Sequence, residues 1–235
     1  MKAVSAPRWQ EQMRYYPVFL DIKGKSAVVI GGGAVAGRKV TGLLAAGALV
    51  TVISPRAVKG LEALAREKRI RLVKKAYRNG DLEGAYLVIC AASSKAANEA
   101  AAMEARARGL FLNVVDAPEE CGFIVPSVID RGSLIIAVST SGKSPALAKR
   151  LREGLEDVIG EEWETFVDLL GAVRKKLLKS RMNNVKKERV FKELVHSPLP
   201  GWIKGGDEKE INGFLRRLLG PGFTLRALGI EFKGI

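Results

Sequence analysis

The chain has 235 residues, 47% of them hydrophobic and 25 of them glycine, which fits a folded protein of one large or two modest domains and excludes a disordered one. Of its formal charge of +14, residues 1–150 carry +11, a field that favours nucleic acid, an anionic membrane or a small polyanionic substrate. No run approaches the roughly 18–20 apolar residues of a membrane span, and the start, MKAVSAPRWQEQMRYYPVF, lacks a signal-type apolar core, so a cytoplasmic location is expected.

From Lys25 the chain alternates short apolar runs with helical periodicity. Ala27–Ile30 reads as a strand, followed by a helix whose apolar face is Ala36, Val40, Leu43 and Leu44, closed by Gly47. Leu49–Ile53 reads as a second strand, Val58, Leu61, Leu64 and Ala65 as a helix face, and Ile70 and Leu72 as part of an edge strand. After YRNGDLEG come a buried strand at Tyr86–Ala91, a helix at Ala96–Arg108 and a strand at Leu110–Val115. Such alternation predicts a parallel sheet covered on both faces.

Beyond Asp116 the rhythm changes. FIVPSVIDRGSLIIAVST, with a turn at Asp130-Arg131-Gly132, predicts a short antiparallel excursion. Ser144-Pro145 has the form of an N-cap followed by proline in the first helical position. Leu147, Leu151, Leu155, Val158 and Ile159 then form one apolar stripe, and Trp163, Phe166, Val167, Leu170, Val173 and Leu177 a second helix beyond Gly160. The basic stretch Arg174–Lys192 reads as a solvated helix face, and the tail from Pro198, rich in Gly and Pro, as a loosely packed end. The expected fold is α/β: a Rossmann-like parallel sheet (1–116), a small dimerisation segment of strands plus helix (117–160), and a helical C-terminal domain with tail (161–235).

The chemistry-bearing motif is SAVVIGGGAVAGRKV, residues 26–40. Gly31-x-Gly33-x-x-Ala36 matches G-x-G-x-x-G/A, in the required setting of strand before and helix after. The first glycine permits the tight turn, the second lets a pyrophosphate approach the backbone, and the small third residue lets helix and strand pack. Ala34 and Val35, in the first helical turn, are expected to face the same phosphates. Where the second strand of an NAD site offers an acid to the ribose, this chain has Ser54, Pro55 and Arg56. Arg56 suits a 2′-phosphate, so this feature taken alone favours NADP. Ala137-Val-Ser-Thr-Ser-Gly142-Lys143-Ser144 approaches a phosphate-binding loop, but the first glycine is Ala137 and Pro145 follows at once. One histidine, His196, and two cysteines, Cys90 and Cys121, are too few for a zinc site and form no CxxC pair. Cys90 reads as a buried inert thiol, and no metal ligands are expected.

Together PVFLDIKGKSAVVIGGGAVAGRKV, NVVDAP (113–118), FIVPSVIDRG (123–132) and VSTSGKSPALAKRLRE resemble the siroheme-synthase dehydrogenase/chelatase family. The resemblance is continuous from about Tyr16 to about Ile159 and looser beyond. It implies NAD-dependent oxidation of precorrin-2 to sirohydrochlorin, often followed by insertion of ferrous iron as a substrate to give siroheme. It further implies a homodimer whose middle segments exchange between subunits, a tetrapyrrole as the binding partner, and neither nucleic acid nor membrane. The methyltransferase domain of some members has no counterpart, which suggests the stand-alone form. The resemblance shifts the cofactor expectation from NADP to NAD.

The resemblance also assigns residues. Asp116 matches the family's catalytic aspartate, at the carboxyl edge of the sheet where open α/β sheets bind ligands. Asn113 and Ala92 join the expected cofactor site, and Thr140, Ser144, Lys143 and Arg131 the tetrapyrrole side. The substrate's many carboxylates give the basic first 150 residues a purpose, with Arg38, Lys39, Lys149 and Arg150 as further candidates. Two alternatives stay open: dehydrogenation without chelation, and a non-catalytic NAD-sensing module.

Overall fold

A computed structural model describes residues 14–180 and 182–231; most of the N-terminal stretch examined for a signal core lies outside them. The chain divides into two compact units, one ending at Val125 and the other beginning at Pro126. The expected middle segment is thus shared: residues 117–125 go with the sheet, and the antiparallel strands and following helix with the C-terminal helices.

The first unit holds β1 (Ser26–Ile30), α1 (Ala34–Ala45), β2 (Leu49–Ile53), α2 (Lys59–Arg66), β3 (Arg71–Val73), β4 (Leu87–Cys90), α3 (Lys95–Ala107) and β5 (Phe111–Val114). All pairings are parallel and the strand order is β3-β2-β1-β4-β5. Order reverses direction between β1 and β4, the place where such sheets open a ligand crevice. Because crossovers are right-handed, that reversal puts helices on both faces. Ala36, Val40 and Leu43 of α1 and Leu61 of α2 pack with Val29, Val52 and Ile89, while Ala101, Ala102 and Ala105 of α3 pack with Val28, Val88 and Cys90 on the other. β4, and β1 after Ser26, are covered on both sides and accordingly apolar.

The β3–β4 connection has no helix and is fastened instead by Glu104 of α3. Its buried carboxylate accepts from the Tyr77 hydroxyl, from the Gly80 N–H at 2.8 Å and from Arg108 Nε at 2.7 Å. Burial alone raises a carboxyl's pKa, but these hydrogen bonds outweigh it and hold Glu104 below its ordinary range. Burial and the same contact push the Tyr77 phenol above its own.

In the second unit β6 (Ser127–Arg131) and β7 (Leu134–Val138) form an antiparallel hairpin with Ile129 opposite Ile136. Its two-residue loop begins with Gly132 at φ +59, a conformation that suits glycine. Helices α4 (Pro145–Glu156), α5 (Glu162–Leu178), α6 (Asn184–Val195), α7 (Leu199–Gly205), α8 (Glu208–Leu219) and α9 (Leu225–Leu228) follow. The basic side chains Arg174, Lys175, Lys186, Arg189 and Lys192 are exposed, with Val173, Leu177, Val190 and Leu194 turned inward.

The tail from Pro198 is not loosely packed. Leu199, Ile203, Ile211, Leu215 and Leu225 are buried with Phe166, Leu169 and Leu194 in one core. Its helices are short, stopped by Gly206 (φ +75) and Gly229 (φ +71) in left-handed conformation, so no long periodic run marks them in the sequence.

The α4 stripe behaves differently. Ala148 is the buried residue of this helix, and Leu147, Leu151, Leu155 and Val158 are exposed, Leu151 at 48% and Val158 at 70%. Val128 and Ile135, on one face of the hairpin, are exposed as well.

Candidate cofactor and catalytic site

The five parallel strands end along one edge, and backbone hydrogen bonds continue past them in register. Gly31 N–H donates to Ile53 O, Ser54 N–H to Val73 O, Ala91 N–H to Ile30 O and Val115 N–H to Cys90 O, all at 2.8–3.1 Å. Gly31, Ser54, Ala91 and Val115 therefore stand in a row. With strands about 4.8 Å apart, the Asp116 backbone lies about 10 Å from the glycine turn.

The three glycines do different work. Gly31 has φ +118, and a Cβ there would lie 2.6 Å from the Ala91 carbonyl carbon and 2.7 Å from Ala92 N. A Cβ on Gly32 would overlap the Arg56 carbonyl oxygen and come within 2.9 Å of Ser54 Oγ. Both let backbones close on one another. Gly33 has ordinary extended angles, φ −82 and ψ −177, and a Cβ on it would meet nothing within 4 Å. It caps α1, whose first turn has no side-chain cap and no acid, so the N–H groups of Ala34, Val35 and Ala36 stay available to an anion. The residues present thus fit a dinucleotide: a tight turn, an open approach at Gly33 and donors behind it.

Ser54 is buried and its hydroxyl donates to Arg56 O at 2.7 Å. That proton shapes the loop, leaving its oxygen as an acceptor. Pro55 and Arg56 are exposed beside it. Ala92 has both backbone groups engaged by one side chain: Ala92 N–H donates to Asn98 Oδ1 (3.0 Å) and Asn98 Nδ2 donates to Ala92 O (2.9 Å). Sequence reasoning missed Asn98, whose signal was only an amide one turn into the helix after a strand. Asn113, buried on β5, donates from Nδ2 to Phe123 O at 3.0 Å, and so anchors the returning chain.

Asp116 is exposed and makes no hydrogen bond among the described residues. It sits in the turn closed by Ala117 N–H to Val114 O, at φ +63. Left-handed backbone is costly for residues other than glycine, though Asp and Asn tolerate it, and such strain gathers at functional sites. Beneath the turn lies Cys121, returned there by a short 3-10 turn at Pro118–Glu120. Lys39 of α1 is half-buried; burial and then the Arg38 charge lower its ammonium, while the Cys121 sulfur within electrostatic reach opposes them. Cys90 is fully buried and burial raises its thiol to about 12, in keeping with an inert role.

The residues expected to meet substrate lie in the second unit. Thr140 Oγ1 donates to Ser144 O and accepts from Ser144 N–H, both at 3.0 Å, and Ser144 Oγ caps α4 through Leu147 N–H. Arg131 pairs with Glu161 at 3.3 Å and donates to Asp130 O. Lys143 is exposed and carries no ion pair among the described residues, as are Lys149 and Arg150, although Lys149 reaches Glu153 at 3.6 Å. His196 is exposed and its ring Nδ1 lies 2.7 Å from Lys192 O at the end of α6, a helix-terminus contact. No group of three or more His, Cys, Asp or Glu that could hold a metal occurs among the described residues, and no helix among them is long and apolar enough to cross a membrane.

Comparison with known proteins covers both units. Residues 18–127 match a family model described as NAD(P)-binding, and residues 131–157 match the model for the central part of sirohaem biosynthesis proteins. The siroheme synthase of Nitrosococcus oceani is 37% identical over 213 residues, 90% of this chain and 45% of that protein. The siroheme synthase of Methylococcus capsulatus is 42% identical over 165 residues, 70% of this chain and 35% of that protein. This chain thus spans less than half the length of these relatives. The solved structure of SirC, a precorrin-2 dehydrogenase, superposes with a TM-score of 0.69 at 26% identity, covering 79% of this chain and 92% of that one.

Proposed function

The chain belongs to the siroheme-synthase N-terminal family, and from that premise we propose that it oxidises precorrin-2 to sirohydrochlorin with NAD. The observation that carries the proposal is the placement of Asp116. An exposed carboxylate in left-handed backbone stands on the same sheet edge as the Gly31–Gly33 turn, two strands away. The name of the SirC neighbour and the names of the relatives support the same chemistry.

In this reading Gly31, Gly33, Ala34 and Val35 hold the pyrophosphate, Ser54, Pro55 and Arg56 border the ribose, and Ala92 and Asn113 shape the nicotinamide end. The bound nicotinamide supplies a hydride acceptor. The reaction removes a hydride from one ring carbon and a proton from a neighbouring position, giving sirohydrochlorin, reduced cofactor and a proton. Asp116 takes that proton as general base, a role typically worth 10²–10⁴-fold. The exposed position lets the base pass its proton to water. On the second unit the tetrapyrrole side is the loop that Thr140 and Ser144 close, where exposed Lys143 meets a substrate carboxylate, while Arg131 is held by Glu161 and Asp130.

Anaerobic incubation with precorrin-2 and NAD, followed by absorbance, tests the assignment: sirohydrochlorin forms, and Asp116→Asn, which keeps the turn conformation, binds NAD without turning over. An Asp116→Asn enzyme with full turnover would place the base elsewhere. A parallel run with NADP decides whether Arg56 matters; equal or better use of NADP would overturn the cofactor choice. We propose also that ferrous iron is inserted into sirohydrochlorin as a second substrate, read from siroheme absorbance without NAD.

A homodimer belongs to the same proposal. The exposed Leu147, Leu151 and Leu155 on α4 with Val158 just beyond it, and the exposed Val128 and Ile135 of a two-stranded hairpin, leave apolar surface and strand edges that a second copy would cover. The proposed location is the cytoplasm.

A further inference from the structure

β5 is the edge strand of the sheet, and alternate residues along it turn their backbone groups away from β4. Phe111 and Val115 donate toward β4, so Leu112 and Val114 face outward. Leu112 O is satisfied by Gly122 N–H at 2.8 Å. Val114 is satisfied by one sulfur: its N–H donates to Cys121 Sγ at 3.2 Å, and the Cys121 thiol lies 3.2 Å from Val114 O and 3.4 Å from Ala117 O. Asn113 Nδ2 also approaches the sulfur, at 3.5 Å. Val114 and Ala117 are the two ends of the turn that carries Asp116 at positive φ, and the turn's own closing bond is long at 3.4 Å.

We propose that Cys121 is the positioning residue for Asp116: its thiol bridges both ends of the Val114–Ala117 turn and holds the carboxylate in left-handed backbone at the sheet edge. The group suits the task because a thiol accepts and donates at once, weakly and at long range. Around it, Arg106 pairs with Glu120 at 3.0 Å and Asn113 holds Phe123 O, so the returning segment that delivers the sulfur is itself fixed to α3 and β5. The inference rests on the proposed role of Asp116 and adds the residue through which that role is maintained.

The test compares Cys121→Ser, which keeps a donor and acceptor, with Cys121→Val, which keeps the volume and loses both. Expected is a fall in kcat of about tenfold or more for Cys121→Val, with KM for NAD unchanged and most of the rate restored in Cys121→Ser. Amide hydrogen exchange at Val114 and Ala117 gives a readout that needs no activity: exchange speeds up in Cys121→Val and stays slow in Cys121→Ser. Wild-type kcat in Cys121→Val, or unchanged exchange, would each overturn the proposal. A wild-type chain that does not oxidise precorrin-2 would instead overturn the functional reading, and the exchange result would still report on the sulfur's hold.

Discussion

Substituting alanine for each glycine of the turn separates folding from binding. At Gly31 the added methyl collides with the Ala91 and Ala92 backbone, which cannot move without parting β1 from β4, and φ +118 is unavailable to alanine. Overpacking against fixed backbone costs about 1–3 kcal/mol, and the forbidden backbone about 1–2 kcal/mol more. A loss of about 2–5 kcal/mol lowers the melting temperature by roughly 4–20 °C, at about 2–4 °C per kcal/mol. Gly32→Ala, pressed on the Arg56 carbonyl, falls in the same class. Gly33→Ala meets no protein atom within 4 Å and keeps an allowed backbone, so its cost is confined to the weaker cap, about 0.5–1 kcal/mol. Its methyl would project into the approach of the pyrophosphate, and NAD affinity should fall at least about tenfold, or 1.4 kcal/mol. Thermal unfolding and titration of NAD on the three variants read both effects. Wild-type NAD affinity in a well-folded Gly33→Ala would refute the placement of the phosphates.

Three further outcomes are expected. Glu104 has its folded pKa depressed, so it contributes stability that is full above its unfolded value and lost as pH falls through the folded one; urea midpoints should drop on acidification below about pH 4.5, and less so in Glu104→Gln, itself about 1–3 kcal/mol less stable at neutral pH. An equal acid slope in both proteins would remove Glu104 as the cause. Leu151→Glu, on the exposed stripe, should leave the protomer folded and convert a dimer to monomer in light scattering; a persistent dimer would place the interface elsewhere. Lys143→Ala should raise KM for precorrin-2 by about 2–5-fold, the worth of one solvent-exposed ion pair, with NAD affinity unchanged, and a constant KM would exclude its contact with substrate.

The sheet was legible because its strands are buried runs separated by helices of clear period, and each expected strand of the first unit lies within about one residue of the observed one. The glycine motif announced a turn, yet not which glycine serves packing and which leaves room, since that depends on Ala91 and Arg56, 60 and 25 positions away from Gly31. The positive φ at Asp116 and the sulfur beneath it were invisible for a similar reason. They arise from a return of the chain through Pro118–Glu120, and weak thiol hydrogen bonds leave no periodic trace. The C-terminal core was missed because helices of 4 to 12 residues between glycines never sustain the repeat that marks an amphipathic helix.

The second unit shows how residue type alone misleads about role. A threonine, a serine and an arginine in two successive motifs suggest groups waiting for a ligand, but a folded loop must first satisfy its own backbone. Thr140 closes the loop onto Ser144, Ser144 starts α4, and Arg131 is engaged by Glu161 and Asp130. Ser141 at φ +54 and Gly142 at φ +81 make the tight bend that those bonds hold, and Lys143, carried at its end, is the member left exposed. In the proposed function this hydrogen-bonded loop presents one long cation to a carboxylate with its backbone already ordered, so the ordering cost is confined to the lysine side chain. The hydroxyls then act by keeping that cation in place, so their loss should resemble a displaced Lys143 and not a missing hydrogen bond.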